Sequence, residues 1–163
     1  MWRSEITAWR SENNLEMREK KLRNIFVNGA IPADTIAESI RKHHTKTDIG
    51  AHSIFLGQVR ADEIGDQQVA GINYTAYEDL ALEKMYEIRE AIFAKYPLTC
   101  MHIHHSLGMI AAGEICLFVF TSSKHRKAAM EACDELVERI KAELPIWGQE
   151  ILTDDSHQWK ENK

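Results

Sequence analysis

The side chains suited to chemistry fall in four short stretches of this 163-residue chain. In Thr121-Ser122-Ser123-Lys124-His125-Arg126, apolar β-formers give way to a helical pattern, with a Ser N-cap signal and a His-Arg pair on the expected first turn. The free N–H groups of such a turn and the positive end of its dipole suit a docked anion. A guanidinium offers phosphate or carboxylate a two-pronged hydrogen bond. Solvated surface charge is the plainer alternative, although the dipole disfavours cations there. Arg60 ends the run Gly50–Arg60 at the edge of a loop, where a surface charge is equally ordinary. Lys141 lies near the end of the helix that Arg126 begins, where a cation also suits the negative helix end. Spacing adds a constraint: Lys141 is fifteen positions beyond Arg126, roughly 22 Å along an unbroken helix. Both can hold one small molecule only if the pocket is built across two copies of the chain.

The fourth stretch is His102-x-His104-His105. A strand puts His102 and His104 on one face and His105 on the other. Two imidazoles fall short of a zinc ligand set, and no HExxH or CxxC supplements them, so no metal is expected. No Walker loop, GxSxG elbow or GxGxxG occurs either, which leaves nucleotide and serine-hydrolase chemistry without support.

The elements that must position these groups follow from periodicity and punctuation. Asn24–Val27 reads as a short strand, Thr35–His44 as a helix after Pro32, and Gly50–Arg60 as a strand. Polar residues 61–70, with Gly65-Asp66, read as a turn or loop before a strand over Ile72–Tyr77. Asp79 is expected to cap a helix that Pro97 stops. Strands over Leu98–His105 and Ile115–Thr121, joined through Gly108–Glu114, precede a helix over Lys124–Leu144 closed by Pro145. The order β-α-β-β-α-β-β-α-β implies an α+β fold, helices packed on a largely antiparallel sheet. Met1–Arg23 reads as an N-terminal extension of uncertain order, and residues 24–163 as one domain.

Composition closes other routes. With 20 basic and 25 acidic residues the formal charge is −5, the wrong sign for non-specific nucleic-acid binding. Cys100, Cys116 and Cys133 have no paired spacing and sit in apolar surroundings, so they read as buried thiols of a reducing compartment. No apolar run approaches the roughly 20 residues needed to span a bilayer, and the first residues lack an apolar signal core. No membrane association and a cytoplasmic location are expected.

Taken together, GAHSIFLGQVR, YTAYEDLALEKM and HHSLGMIAAGEICLFVFTSSKHRKAAMEACDELVERIKAELPIWGQE resemble the large, catalytic subunit of molybdopterin synthase. The resemblance runs from about Ile25 to Trp159 and rests on the order and spacing of the segments. It implies an α/β-hammerhead-like fold, and a homodimer within a heterotetramer. Each large subunit would receive the C-terminal Gly-Gly thiocarboxylate of a small ubiquitin-like sulfur-carrier subunit. Two such sulfurs would convert cyclic pyranopterin monophosphate, a pterin phosphate, to molybdopterin. By the same resemblance Lys141 is the catalytic lysine, and Gln58, Val59 and Arg60 contact substrate. His125 and Arg126 reach into the partner copy's pocket. No cofactor is implied, and no catalytic cysteine, because the sulfur arrives on the carrier.

The chain departs from the family pattern in two places. A basic residue usually follows the Pro-aromatic-Trp turn; here the turn reads Pro145-Ile146-Trp147-Gly148-Gln149-Glu150. Where the family reads His-Arg, this chain has His105-Ser106. Lys160 or Lys163 could compensate, Lys141 could act alone, or activity could be lower. Gly148, with Gln149 and Glu150, would leave backbone room for the incoming tail. A non-catalytic paralogue that binds a ubiquitin-like tail or a phosphate ligand is the alternative; a metal-dependent hydrolase using His102–His105 is a third.

Overall fold

The computed structural model describes residues 22–162. Its elements run β1 (Phe26–Asn28), α1 (Ala33–Lys42), β2 (Ala51–Gln58), β3 (Glu63–Ile64), β4 (Gln67–Ala76) and α2 (Glu78–Lys95). They continue with β5 (Leu98–Ala111), β6 (Ile115–Ser123), α3 (Arg126–Glu143), β7 (Ile146–Leu152) and β8 (His157–Trp159). The proposed extension Met1–Arg23 lies outside the described residues except for its last two.

Strand β6 is the key to the layering. All of its residues but the first are buried, which requires both faces of the strand to be covered. Leu117 and Val119 join the main core, with Met85, Ile88 and Ile92 of α2 and Leu136, Val137 and Ile140 of α3. Phe118 and Phe120 point the other way, into a smaller cluster with Ile31 and Ile36 of the α1 region. Each fully buried Phe contributes about 1.5–3 kcal/mol. Strand β5 obeys the same alternation: Met101 and Ile103 face the main core, while His102 and His104 pair across to Phe120 and Phe118.

The sheet order is β2-β6-β5-β4-β7-β8, with β1 added beside β5 and β3 beside β4. Every pairing is antiparallel except β1 with β5. The α+β architecture expected from the sequence is therefore the one observed. Strand β5 joins two halves of the sheet: residues 98–105 pair with β6 and residues 108–111 with β4. Gly108 lies where the partner changes, at φ +83°, a conformation open to glycine and strained for other residues.

Several boundaries differ from the sequence reading. The polar stretch 61–70 is a hairpin, β3 and β4 meeting around Gly65-Asp66, because backbone pairing tolerates the exposed polar side chains. Strand β5 continues through residues read as a connection, since β4 pairs with them. Ser122 and Ser123 do not cap α3; they remain in β6, buried at 0% and 1% exposure. Ser123 Oγ donates to the Pro97 carbonyl at 3.0 Å and Ser122 Oγ meets His52 Nδ1 at 2.8 Å. The residue preceding α3 is His125, without a side-chain cap. Helix α2 begins one residue before Asp79, whose carboxylate lies in the first turn, where the dipole favours it.

Candidate active site

A cleft opens where β2, β4, β7 and the end of α3 meet. Gly57, Gln58, Tyr74, His105, Cys116, Lys141, Trp147, Gly148 and Lys160 line it. Its outer part continues past Arg60, Asp62, Glu150 and Gln158. Lys141 extends from the last turn of α3, exposed, with its ammonium 5.8 Å from the centroid of the Phe55 ring, within cation–π reach. Phe55 reaches that place because β2 alternates, turning residue 55 toward α3 and 54 and 56 away.

The floor is a connected set of polar groups. Tyr74 Oη donates to Cys116 Sγ at 3.5 Å, and Cys116 Sγ donates to the Gly57 carbonyl at 3.3 Å. Burial, then the neighbouring Cys116, pushes the Tyr74 phenol well above its ordinary pKa, so it serves as a donor. His105 stands edge-on to Tyr74 at 5.1 Å, its Nδ1 donating to the Ser106 carbonyl at 2.8 Å. Burial lowers the His105 pKa despite that hydrogen bond. The unfolded chain therefore protonates this residue first. The stability it contributes is complete above about pH 6.5 and is lost as the pH falls through the lower folded value. The urea midpoint should fall between pH 7.5 and pH 5, and by less in a His105→Gln variant; equal slopes would refute the assignment.

Gly148 has little room for a side chain: a Cβ there would lie 2.9 Å from Ile72 Cγ2 and 3.2 Å from Tyr74 Cε1. The same Cβ position is 3.6 Å from Lys160 Cβ, and Lys160 N donates to the Gly148 carbonyl at 2.8 Å. The residue that follows β8 thus places a lysine beside Gly148, where β7 carries no basic side chain. Lys163, the other residue considered for this role, lies outside the described residues.

The remaining sequence-derived residues divide. Gln58, Arg60, Lys141, Gly148 and Glu150 share the cleft. Arg60 is exposed and pairs with Asp62 at 3.0 Å, a surface contact worth little. Glu150 accepts a hydrogen bond from Gln158 at 2.7 Å. Val59 is a correction: it is 1% exposed, its side chain in the main core, its N–H and carbonyl bonded to Glu114 and Gly113. Gln149 is not among the residues that line either part of the cleft. Tyr74 and Trp147 belong to the cleft without having been proposed as site residues, and His105, weighed from sequence in the histidine cluster, lies in this cleft as well. The only local signal was the alternation of β4 and β5, which says which face a residue takes but not what lies there.

His125 and Arg126 line a different cleft, at the start of α3, with Gly50, Lys124, Lys127, Met130 and Glu131. No acidic residue occupies that first turn, and the serines that could have capped it are engaged in β6, so its N–H groups face a basic pocket open to an anion. Helix α3 is unbroken from Arg126 to Glu143. The two basic clefts are therefore separated by roughly the 22 Å that the helical rise requires.

Lysine and arginine side chains thus line clefts at both ends of one helix of an α+β fold, in company with Asp62, Glu63 and Glu150 at one end and Glu131 at the other. The chain belongs to the MoaE protein family, whose model matches residues 30–143. It is 34% identical over 117 residues to the molybdopterin synthase catalytic subunit of Pyrococcus abyssi, covering 72% of this chain and 78% of that one. To the subunit of the same name from Drosophila willistoni it is 39% identical over 116 residues, spanning 31% of that longer protein. The crystal structure of molybdopterin synthase from Staphylococcus aureus superposes with a TM-score of 0.73 at 31% identity, over 84% of this chain and 96% of that chain. Among the described residues, no helix is long and apolar enough to cross a membrane.

Proposed function

We propose that this chain is the catalytic subunit of a molybdopterin synthase. It would move sulfur from the thiocarboxylate of a small ubiquitin-like carrier to cyclic pyranopterin monophosphate. The observation that carries the reading is the convergence of Lys141, Lys160, Gln58 and Arg60 on one cleft beside Gly148. There a slender peptide end has room next to cationic side chains.

The carrier's thiocarboxylate sulfur displaces an oxygen substituent from a side-chain carbon of the pterin. That carbon–oxygen bond breaks, the oxygen leaving as water or on the phosphate, and the carrier is then held as a thioester. Water adds to its acyl carbon, the carbon–sulfur bond breaks, and the carrier leaves as a carboxylate while sulfur stays on the pterin. The Lys141 ammonium stabilises the oxyanion that forms on the acyl oxygen. Two carriers supply the two sulfurs of the dithiolene.

His125 and Arg126 would hold the substrate phosphate in the cleft of a second copy, since they cannot reach Lys141 in their own. Ile54 and Leu56, 38% and 42% exposed on the outermost strand β2, offer apolar surface that a second copy would cover. The reading thus includes a homodimer with a small subunit on each side. The complex of subunits 1 and 2 of molybdopterin-converting factor from Helicobacter pylori shares the fold, with a TM-score of 0.71 at 20% identity.

The test mixes the purified protein with a thiocarboxylated carrier and the pterin precursor. Dithiolene product supports the synthase; carrier binding without product supports the non-catalytic alternative. Lys160→Ala should lower kcat/KM at least about tenfold, the loss of one charge-assisted hydrogen bond. Lys160→Arg should keep most of the activity. Unchanged kinetics in Lys160→Ala would leave Lys141 as the sole amine at work.

A further inference from the structure

The opposite face of the sheet carries a cluster that the proposed sulfur transfer does not use. His43, the residue that ends α1, is 5% exposed and lies against β5. Cys100 and His102, two positions apart on β5, share the face that looks toward it. Nε2 of His43 and Nε2 of His102 are 3.3 Å apart, and the Cys100 sulfur completes a set whose ligand atoms all lie within 4.8 Å of one another.

Three features distinguish this cluster from packed core. Nδ1 of His43 lies 2.5 Å from the Ser39 carbonyl. A carbonyl can only accept, so Nδ1 is the donor, and it is Nε2 that faces the cluster. That is the arrangement of a metal-bound histidine, whose second nitrogen donates to a backbone carbonyl. Next, zinc–nitrogen bonds of about 2.0–2.1 Å imply a tetrahedral edge of about 3.3–3.4 Å between two ring nitrogens, the separation observed. Lastly, the Cys100 sulfur faces the same group, where it accepts from Lys46 Nζ at 2.7 Å. Lys46 is an exposed side chain on a turn, able to swing out when a metal replaces it as the counter-charge.

We infer that His43, Cys100 and His102 form a binding site for a borderline divalent cation such as zinc, remote from the sulfur-transfer cleft. Two imidazoles and one thiolate supply three tetrahedral positions. The fourth faces the open cleft lined by His43, Lys46, His102 and His104, where water can complete the shell. The ion would tie the end of α1 to β5 across the smaller core. His104 is not a ligand: its ring lies flat against Phe118 at 5.8 Å and an interplanar angle of 2°.

The test uses the whole protein, stripped of metal by chelator dialysis and titrated with cobalt(II). One equivalent should produce thiolate-to-cobalt charge-transfer absorption together with the intense visible bands of a four-coordinate ion. Zinc should abolish both by displacement and raise the unfolding temperature. Cys100→Ser should lose the charge-transfer band. His43→Gln should weaken binding by more than the about 10–100-fold typical of outer-shell losses. His104→Gln should bind as the wild type does. Absence of the bands in the wild-type protein at one equivalent, or their survival in Cys100→Ser, would overturn the site and leave a plain imidazole–imidazole hydrogen bond. The wild-type titration decides the matter even where a variant fails to fold.

Discussion

Alanine in place of Lys141 should lower single-turnover sulfur transfer by about 100- to 1000-fold, the loss typical of one oxyanion-stabilising donor, while carrier affinity stays within a few fold. The lysine touches little else. It is exposed at the end of α3, and its described side-chain contact is the edge of a cation–π interaction with Phe55, worth about 0.5–1 kcal/mol at an exposed site. Asn162 bonds to its backbone carbonyl, at 3.2 Å, and that bond survives the substitution. The variant should therefore fold and bind as before and fail at the chemical step. Kinetics in a quench-flow assay, with carrier binding measured in parallel, separate the two effects. Turnover near that of the wild type would remove Lys141 from the mechanism.

The second large effect concerns dimers made from two different lesions. Arg126→Glu reverses the charge at the start of α3 and should abolish precursor binding in the pocket that side chain serves. Homodimers of Lys141→Ala or of Arg126→Glu should each be nearly inactive. A hybrid carrying one lesion per copy joins both defects in one pocket and leaves the other pocket intact. Hybrids isolated with two affinity tags should therefore recover about half the wild-type activity per dimer, by the counting of independent sites. Wholly inactive hybrids would sink the shared pocket. The geometry behind this expectation is a rigid one: an unbroken α3 keeps Arg126 and Lys141 at opposite ends of one helix.

Much of this was legible in the chain because it depends on near neighbours. Alternation along β5 separates His102 and His104 from His105, and the structure has the first two in one cleft and the third in the other. Helical rise alone separates Arg126 from Lys141. Element order follows from periodicity, and the family from the succession of segments. Val59 shows the limit of motif reasoning: it lies between two cleft residues, Gln58 and Arg60, yet packing against the main core takes its side chain inward.

The sequence by itself determined which residues share a strand face, how far apart two positions on one helix must be, and which family pattern the chain follows. Tertiary structure alone decided that Lys160 lies beside Gly148 and that His43 meets Cys100 and His102. Those meetings depend on the register of β8 against β7 and on where α1 settles on the sheet. Both are set by side-chain packing between segments far apart in the chain, which no local spacing records.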